Sequence, residues 1–525
     1  MLVFYFLLII SVTIDFYAQT LEVIWNKPFL LPKNNWYYKV LGSDDVGIYL
    51  LKTTSPREVI LEESYLEYFN VYSNSIETSS QLYSPYIGSM KTEYFDLFYL
   101  DKKLILFTTL KNNNNKELYV QYINSDGSLK NIPKKVGEIP ITNYSKDDFK
   151  LYVYENNFYL LYHNTFNVYN KEPIYLKVLN TDLIETQTHV LVPPLVDEYF
   201  EIEQFVIGKS KYVYLLLKVL KKDKKNKSQP AHAKKSENYS YVLLTYNPRR
   251  KEYMTFDITV GGGKYLPVNA IMRLDGEENI VVTGFMSNKN PKIPKQFDGA
   301  YYLIINPRTQ KNLTPDIKKS VRIFSKEFIA QNSEPRNGTD PEKFNDYTLK
   351  HFFFFEEGGF AVIAENSYSW TDKIVDPATK KVTEINYYVN NDLIIYGVDK
   401  DGTLKWNFRI PRNAISTDDD GYYNQVACIY DNNKIRLYFN DQKANLKNKE
   451  SAKTKVLKNF VSLPPKGFIV TYTIFSDGSY EKYPALKSDD EKWVLIPRLL
   501  SFFNRSYILF VQDGRNIKCG TFTLD

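Results

Sequence analysis

An all-β fold, a β-propeller of about eight four-stranded blades, is what this 525-residue sequence predicts, on three observations. Strand-favouring aromatics are abundant, 44 Tyr and 33 Phe against only 5 Met, and such flat rings fit the half-buried pleated surface of a sheet better than a helix interior. One hairpin pattern returns eight times from end to end. Finally, the last repeat is one strand short, while an unassigned strand stands near the beginning.

The recurring pattern is an aromatic-aliphatic run, a short Gly/Asp/Asn/Lys turn and a second such run. Its copies begin at Tyr37, Leu97, Leu151, Phe205, Ile271, Phe352, Val426 and Leu499. Each reads as a tight β-hairpin. Between them lies a second hairpin type whose turns are rich in Asn, Asp, Gly and Pro, starting at Tyr68, Tyr119, Tyr175, Tyr241, Tyr301, Leu393 and Phe468. Those residues supply the backbone angles that turns require. Hairpins in pairs make units of four strands, near the size of a propeller blade. Seven units are complete. The eighth has its first hairpin and the strand Ile517–Leu524, and Leu21–Trp25 is free to join it, closing the ring and removing a sheet edge open to aggregation. Seven blades, or two stacked sandwiches, are the alternatives. Repeat folds exceed the usual domain length, so residues 20–525 read as one domain.

Leu2 to Ile14 are almost wholly apolar, too short a run to span a bilayer as a helix. With Ala18 as the cleavage residue, 1–18 read as a secretory signal peptide, which predicts an exported chain, periplasmic or secreted, with no transmembrane segment after cleavage. The two cysteines, Cys428 and Cys519, form no disulfide framework and no C-x-x-C metal pattern.

With the strands of each blade labelled a to d from the axis outward, the a–b and c–d connections are tight turns, whereas the b–c and d–a connections are long and varied. In a propeller these classes emerge on opposite faces, so recognition is expected on the long-loop face. One b–c loop there, Lys221–Lys235, holds seven lysines (221, 222, 224, 225, 227, 234 and 235) against Asp223, a net of +6 equal to that of the whole chain. Lys289, Lys292 and Lys295, and Lys443, Lys447, Lys449, Lys453, Lys455 and Lys458, make two further loops basic. Solvated mobile loops would look the same, but an electrostatic rim for an anionic glycan, a lipid head group or an acidic protein is the functional expectation. Nucleic acid is disfavoured, because the charge is not interleaved with aromatics. In the d–a loop Thr417–Tyr423, Asp418, Asp419 and Asp420 stand beside Gly421, Tyr422 and Tyr423. The three carboxylates are the metal candidates, with calcium the cation such oxygen-rich turns take, and the two tyrosines are candidate binding residues.

Catalytic motifs are missing from the sequence. The four histidines, His163, His189, His232 and His351, sit in no H-E-x-x-H helix and beside no nucleophile elbow. Val260–Lys264 is Gly-rich but lacks the rest of a phosphate loop. Inner strands that are largely aromatic and aliphatic argue against a polar axial pocket.

Val398–Trp406 (VDKDGTLKW) resembles a blade of the quinoprotein-like, PQQ-type propellers, in which a Gly turn leads to a docking Trp; with one such unit, it implies no quinone. Leu393–Asn445 resembles a family of exported bacterial proteins of unknown function. It carries D-x-D-G-x-x-x-W at Asp399–Trp406, I-P at Ile410-Pro411, D-G-Y at Asp420–Tyr422 and F-N-D at Phe439–Asp441. That resemblance covers about a tenth of the chain; it implies an envelope or secreted setting in a Gram-negative bacterium and brings no activity with it. The expected function is a non-enzymatic binding or scaffold propeller recognising a protein or glycan. The alternative is a carbohydrate-active hydrolase with axial Asp and Glu residues.

Overall fold

The computed structural model describes residues 20–524 apart from 74, 113, 142–147, 164–172, 196–198, 221–238, 289–295, 310, 331–343, 345, 448–453, 459–466 and 487–492. The signal peptide assigned to 1–18 lies outside these residues. The fold is all-β: eight successive sheets of four or more strands, antiparallel but for one parallel pair in the sixth, and a two-stranded ribbon, Tyr86–Ile87 with Met90–Lys91, with one α-helix, Lys326–Ala330, among the described residues. Among them, no helix is long and apolar enough to cross a membrane.

Sheet 1 is Trp36–Ser43, Gly47–Thr53, Tyr65–Asn70 and Ser75–Gln81; sheet 2 is Glu93–Leu100, Lys103–Lys111, Asn115–Ile123 and Lys134–Pro140. Sheet 3 is Lys150–Tyr154, Asn157–His163, Ile174–Asn180 and Glu185–Leu191; sheet 4 is Tyr199–Ile207, Val213–Leu220, Tyr239–Asn247 and Glu252–Asp257. In sheet 5 the first strand is broken into Tyr265–Pro267 and Ile271–Leu274, followed by Ile280–Asn288, Gly299–Ile305 and Val321–Ile323. Sheet 6 contains Tyr347–Phe354, Phe360–Val375, Val382–Val398 and Leu404–Ile410, enlarged by Ala414–Thr417 and Leu457–Lys458. Sheet 7 is Ala427–Asp431, Lys434–Gln442, Gly467–Ile474 and Tyr480–Pro484. Sheet 8 joins Val494–Leu495 and Ser501–Phe503 to Ser506–Asp513, then Asn516–Phe522, then Ile24–Trp25 and Phe29–Leu30.

The tight hairpins have a local cause. Asp101-Lys102, Glu155-Asn156, Asn432-Asn433 and Asn504-Arg505 each place two consecutive residues at positive φ. That is the backbone of a type I′ turn, whose twist matches the flanking strands. In the other hairpins an Asn or Asp carboxamide or carboxylate folds back: Asn180 accepts from the N–H of Asp182 and Ile184, Asn306 from Arg308 and Thr309, Asp399 from Asp401 and Thr403. These are Asx turns.

Packing follows from the period of two along a strand. In Lys103–Lys111, Leu104 and Leu106 face a cluster shared with sheet 1, whereas Ile105 and Phe107 face one shared with sheet 3. Likewise Val213, Leu215 and Leu217 pack toward sheet 3, and Tyr214 and Leu216 toward sheet 5. Strand Phe360–Val375 splits Phe360 and Val362 from Ala361 and Ile363 in the same way. In sheet 8, Leu509 and Val511 meet sheet 7, while Ile508 and Phe510 join Tyr37, Ile48, Leu50 and Phe69 of sheet 1. The array is propeller-like.

The N-terminal strand does pair with the last one, Ile24 opposite Thr521 and Trp25 opposite Gly520. The pairing runs further than the sequence indicated, with Phe29 opposite Ile517 and Leu30 opposite Asn516. Asn26 bridges the two segments, giving its N–H to the Cys519 carbonyl at 3.0 Å and accepting the Cys519 N–H on its side chain at 2.8 Å. Both cysteines are free thiols. Trp406 packs against Gly397 and Gly478. A Cβ on either would sit 2.0 or 2.4 Å from the indole.

At Gly520 a Cβ would stand 2.3 Å from Val23 and 2.6 Å from the Trp25 ring. Gly520→Val is therefore expected to push the N-terminal strand off its partner and lower stability by about 1–3 kcal/mol, read by urea unfolding.

Candidate functional site

Sheet 6 carries the longest strands among the described residues. Its second and third strands run nine residue pairs beyond the edge of Tyr347–Phe354, from Ser367 opposite Asn390 to Val375 opposite Val382. The result is a two-stranded arm of about 30 Å. Alternation puts Tyr368, Trp370, Ile374, Ile385 and Tyr387 on one side of it. Trp370 stacks on Tyr387 at 4.8 Å and 8°, and on Tyr368 at 5.8 Å. Trp370, Ile374, Val375 and Val382 are exposed. At the base of the arm, Ala414–Thr417 pairs with Tyr387–Asn390, and Leu457–Lys458 pairs in parallel with 414–415. A b–c connection of sheet 6, its d–a connection and the b–c connection of sheet 7 thus meet on one side, the side where the sequence placed them.

The root of the arm is held by charges the sequence reading did not single out. Arg409 pairs with Asp392 (2.6 Å) and Arg412 with Glu365 (2.8 Å), all four buried. Asp392 also accepts the Arg412 N–H at 3.1 Å. These arginines flank the Ile410-Pro411 step, the one sequence cue that could have marked them. Such a network is costly to break by half, because it leaves an uncompensated buried charge.

The three candidate aspartates turn to separate protein partners. Asp418 takes the Arg57 guanidinium from sheet 1's b–c loop and the N–H and side chain of Asn386 on the arm. Partial burial opposes ionisation there, but these donors hold its carboxyl below the usual range. Asp419 is buried and accepts from Ser416 Oγ and the Gly421 N–H; burial pushes its pKa up to about 6. Asp420 lies 3.8 Å from Arg498. Among the described residues no group of three or more His, Cys, Asp or Glu is arranged to hold a metal ion. Tyr422 and Tyr423, expected as binding residues, are both buried. Their rings meet Trp36 at 5.0 and 6.2 Å, and their hydroxyls donate to the Tyr37 carbonyl and to Gln512 Oε1. The loop is a strut wedged between sheets 8 and 1, and its tyrosines are packing. Adjacent aromatics after a Gly turn read alike whether they face solvent or core.

The rim lysines Lys221, Lys222, Lys224, Lys225, Lys227, Lys234 and Lys235 lie outside the described residues, as do Lys289, Lys292, Lys295, Lys449 and Lys453. Lys443 and Lys447 lie on a short helical turn, Lys443–Lys447, below the arm side of sheet 7.

A cavity of about 530 Å³ opens among the first strands of sheets 3 to 6. Tyr152, Phe205 and Phe353 supply aromatic walls; Arg273, Lys350 and His351 supply polar ones. This corrects the expectation of an apolar interior. The first strands are aromatic in bulk, but alternation turns their few charged residues to one side. His351 stacks on Phe353 at 5.9 Å, and burial lowers its pKa, opposed by Glu365. Among the described residues two carboxylates reach the cavity, and both hold turns. Asp275 accepts from the N–H of Glu277 and Asn279, and Glu278 accepts the Ser210 N–H and lies 3.7 Å from Arg308.

No family model and no curated protein matches the chain. Among solved structures, the polysaccharide lyase Uly1 shares 9% identity at a TM-score of 0.36, over 84% of this chain and 94% of that one. The WD40 domain of SCAP from fission yeast shares 7% at 0.32, over 97% of each chain. Prolyl oligopeptidase B from Galerina marginata shares 7% at 0.37, over 93% of this chain and 55% of that one. At these scores none lends the chain an activity.

Folded, Asp419 holds its proton to about pH 6, whereas the unfolded chain releases it near 3.8. The native state therefore binds more protons in that window, and stability falls as pH rises through it. Asp419→Asn, which keeps the acceptor and removes the charge, is expected to flatten that fall in urea unfolding measured at pH 4 and pH 6.

Proposed function

We propose that the chain is an eight-bladed β-propeller, closed by its N-terminal segment, that acts outside the cytoplasm as a non-enzymatic recognition scaffold for a protein or glycan. The ring reading rests on eight apolar clusters, each shared by two consecutive sheets, the last returning from sheet 8 to sheet 1. Export rests on the apolar leader. The single observation that carries recognition is the arm: a two-stranded projection with exposed Trp370 and Ile374, rooted in buried ion pairs and joined at its base by Ala414–Thr417 and Leu457–Lys458. A hydrolase needs a pair of carboxylates free to act on a glycosidic bond, and the two that reach the cavity are engaged in turns. That favours binding over turnover. The basic b–c loop 221–235 adds an attraction for anionic partners.

Replacing Asp372–Ile385 by an Asn-Gly turn leaves Trp370, Tyr387 and the Asn386–Asp418 contact in place. In glycan-array and envelope-fraction binding assays it is expected to cost at least about tenfold in affinity, the scale of one lost anchor, with thermal unfolding unchanged. Full binding by the shortened chain would discard the removed tip of the arm, Ile374 included, as the recognition element. Deleting Lys221–Lys235 is expected to flatten the salt dependence of the same binding; an unaltered salt slope would remove the electrostatic part.

A further inference from the structure

Arg273 occupies the third position of the strand Ile271–Leu274, between buried Met272 and half-buried Leu274. Its guanidinium lies over the Phe353 ring at 5.9 Å and gives one N–H to the Phe352 carbonyl. Phe353 in turn stacks on Tyr430 at 5.5 Å and 15°, while Tyr152 meets Phe205 at 5.6 Å. Among the described residues, Arg273 has no carboxylate partner. Among the same residues, Nε and Nη2, the side-on fork of the guanidinium, have no protein acceptor. The wall's own acids are committed to Ser210, Glu277, Asn279 and Arg308. Lys350 stands on the same wall, 3.7 Å from a Glu365 already held by Arg412. The larger cavity, about 820 Å³ beside the N-terminal segment, differs: its Lys52 is paired with Glu67, which also accepts from Tyr37 at 2.6 Å.

Arg273 is exposed to the cavity, so its fork is open to an anion arriving from solvent. A carboxylate matches the fork with two parallel charge-assisted hydrogen bonds, and the Tyr152 ring in the same lining can take the apolar face of a pyranose. The volume falls in the range of small-molecule sites.

We propose that this cavity binds an acidic sugar, its carboxylate on the fork of Arg273 and its ring against Tyr152. The cavity is bounded by Tyr154, Lys209, Asp275 and Glu278, at or next to the tight turns, so it opens away from the arm. The two sites are therefore independent, and shortening the arm leaves this one intact.

Titration calorimetry of the full chain at low salt, with D-glucuronate, D-glucose and acetate as probes, tests it. Glucuronate is expected to bind at least about tenfold more tightly than either the uncharged ring or the ringless acid, since charge and ring surface both contribute. Arg273→Gln is expected to cost about tenfold or more, as a lost bidentate ion pair does. Arg273→Lys, which keeps the charge and gives up the fork, is expected to lose part of that while unfolding at the wild-type temperature. Lys52→Gln, in the other cavity, is expected to change nothing. No heat with glucuronate, equal affinity for glucose, or wild-type binding by both Arg273 variants would overturn the proposal.

Discussion

The second strand of each sheet is buried on both faces, and the rest of the architecture depends on that constraint. A strand such as Val213–Leu220, with Leu215 and Leu216 both fully buried on opposite sides, cannot be satisfied by one neighbouring sheet. Each large apolar side chain left in water would cost about 1.5–3 kcal/mol. A linear stack would leave the outer faces of sheets 1 and 8 uncovered. Here they cover each other, through Tyr37, Ile48 and Leu50 against Ile508 and Phe510. Trp25 and Asn26 then add backbone pairing on Asn516–Phe522, so the first and last segments of the fold guard each other's edge.

On this frame the elaborations divide by chemistry. The arm, Ala414–Thr417 and Leu457–Lys458 share backbone hydrogen bonds, and buried ion pairs at Arg409 and Arg412 set the position of their root. Arg57 to Asp418 ties sheet 1 to the same region. The Tyr422–Tyr423 strut fills the joint beneath, under Arg498, whose guanidinium lies 4.9 Å from the Tyr422 ring. Rigid roots and an exposed tip let a loop element present a surface without losing much entropy on binding.

The opposite side is less bland than its short turns imply. With Asp275 and Glu278 held in turns, the exposed Arg273 has no carboxylate partner among the described residues. A cavity lined this way suits an anion, whereas in the cavity beside the N-terminal segment Lys52 is answered by Glu67.

Alternation, turn chemistry and the leftover strand made the sheets legible in the sequence, because each is a property of neighbouring residues: Asn432-Asn433 announces its turn locally, and eight copies of one pattern announce a repeat. The pairing of the first strand with the last was legible by strand arithmetic alone. What lay beyond reach depends on residues far apart in the chain. Arg57 meets Asp418, Tyr422 meets Tyr37, and Arg273 meets Phe353 only once the sheets are stacked, so whether the aspartates are free, the tyrosines exposed or the interior polar was decided by tertiary structure. The physical reason is range: backbone angles and strand period are set within a few residues, whereas burial, and with it the charge state and availability of a side chain, is set by whatever the fold brings against it.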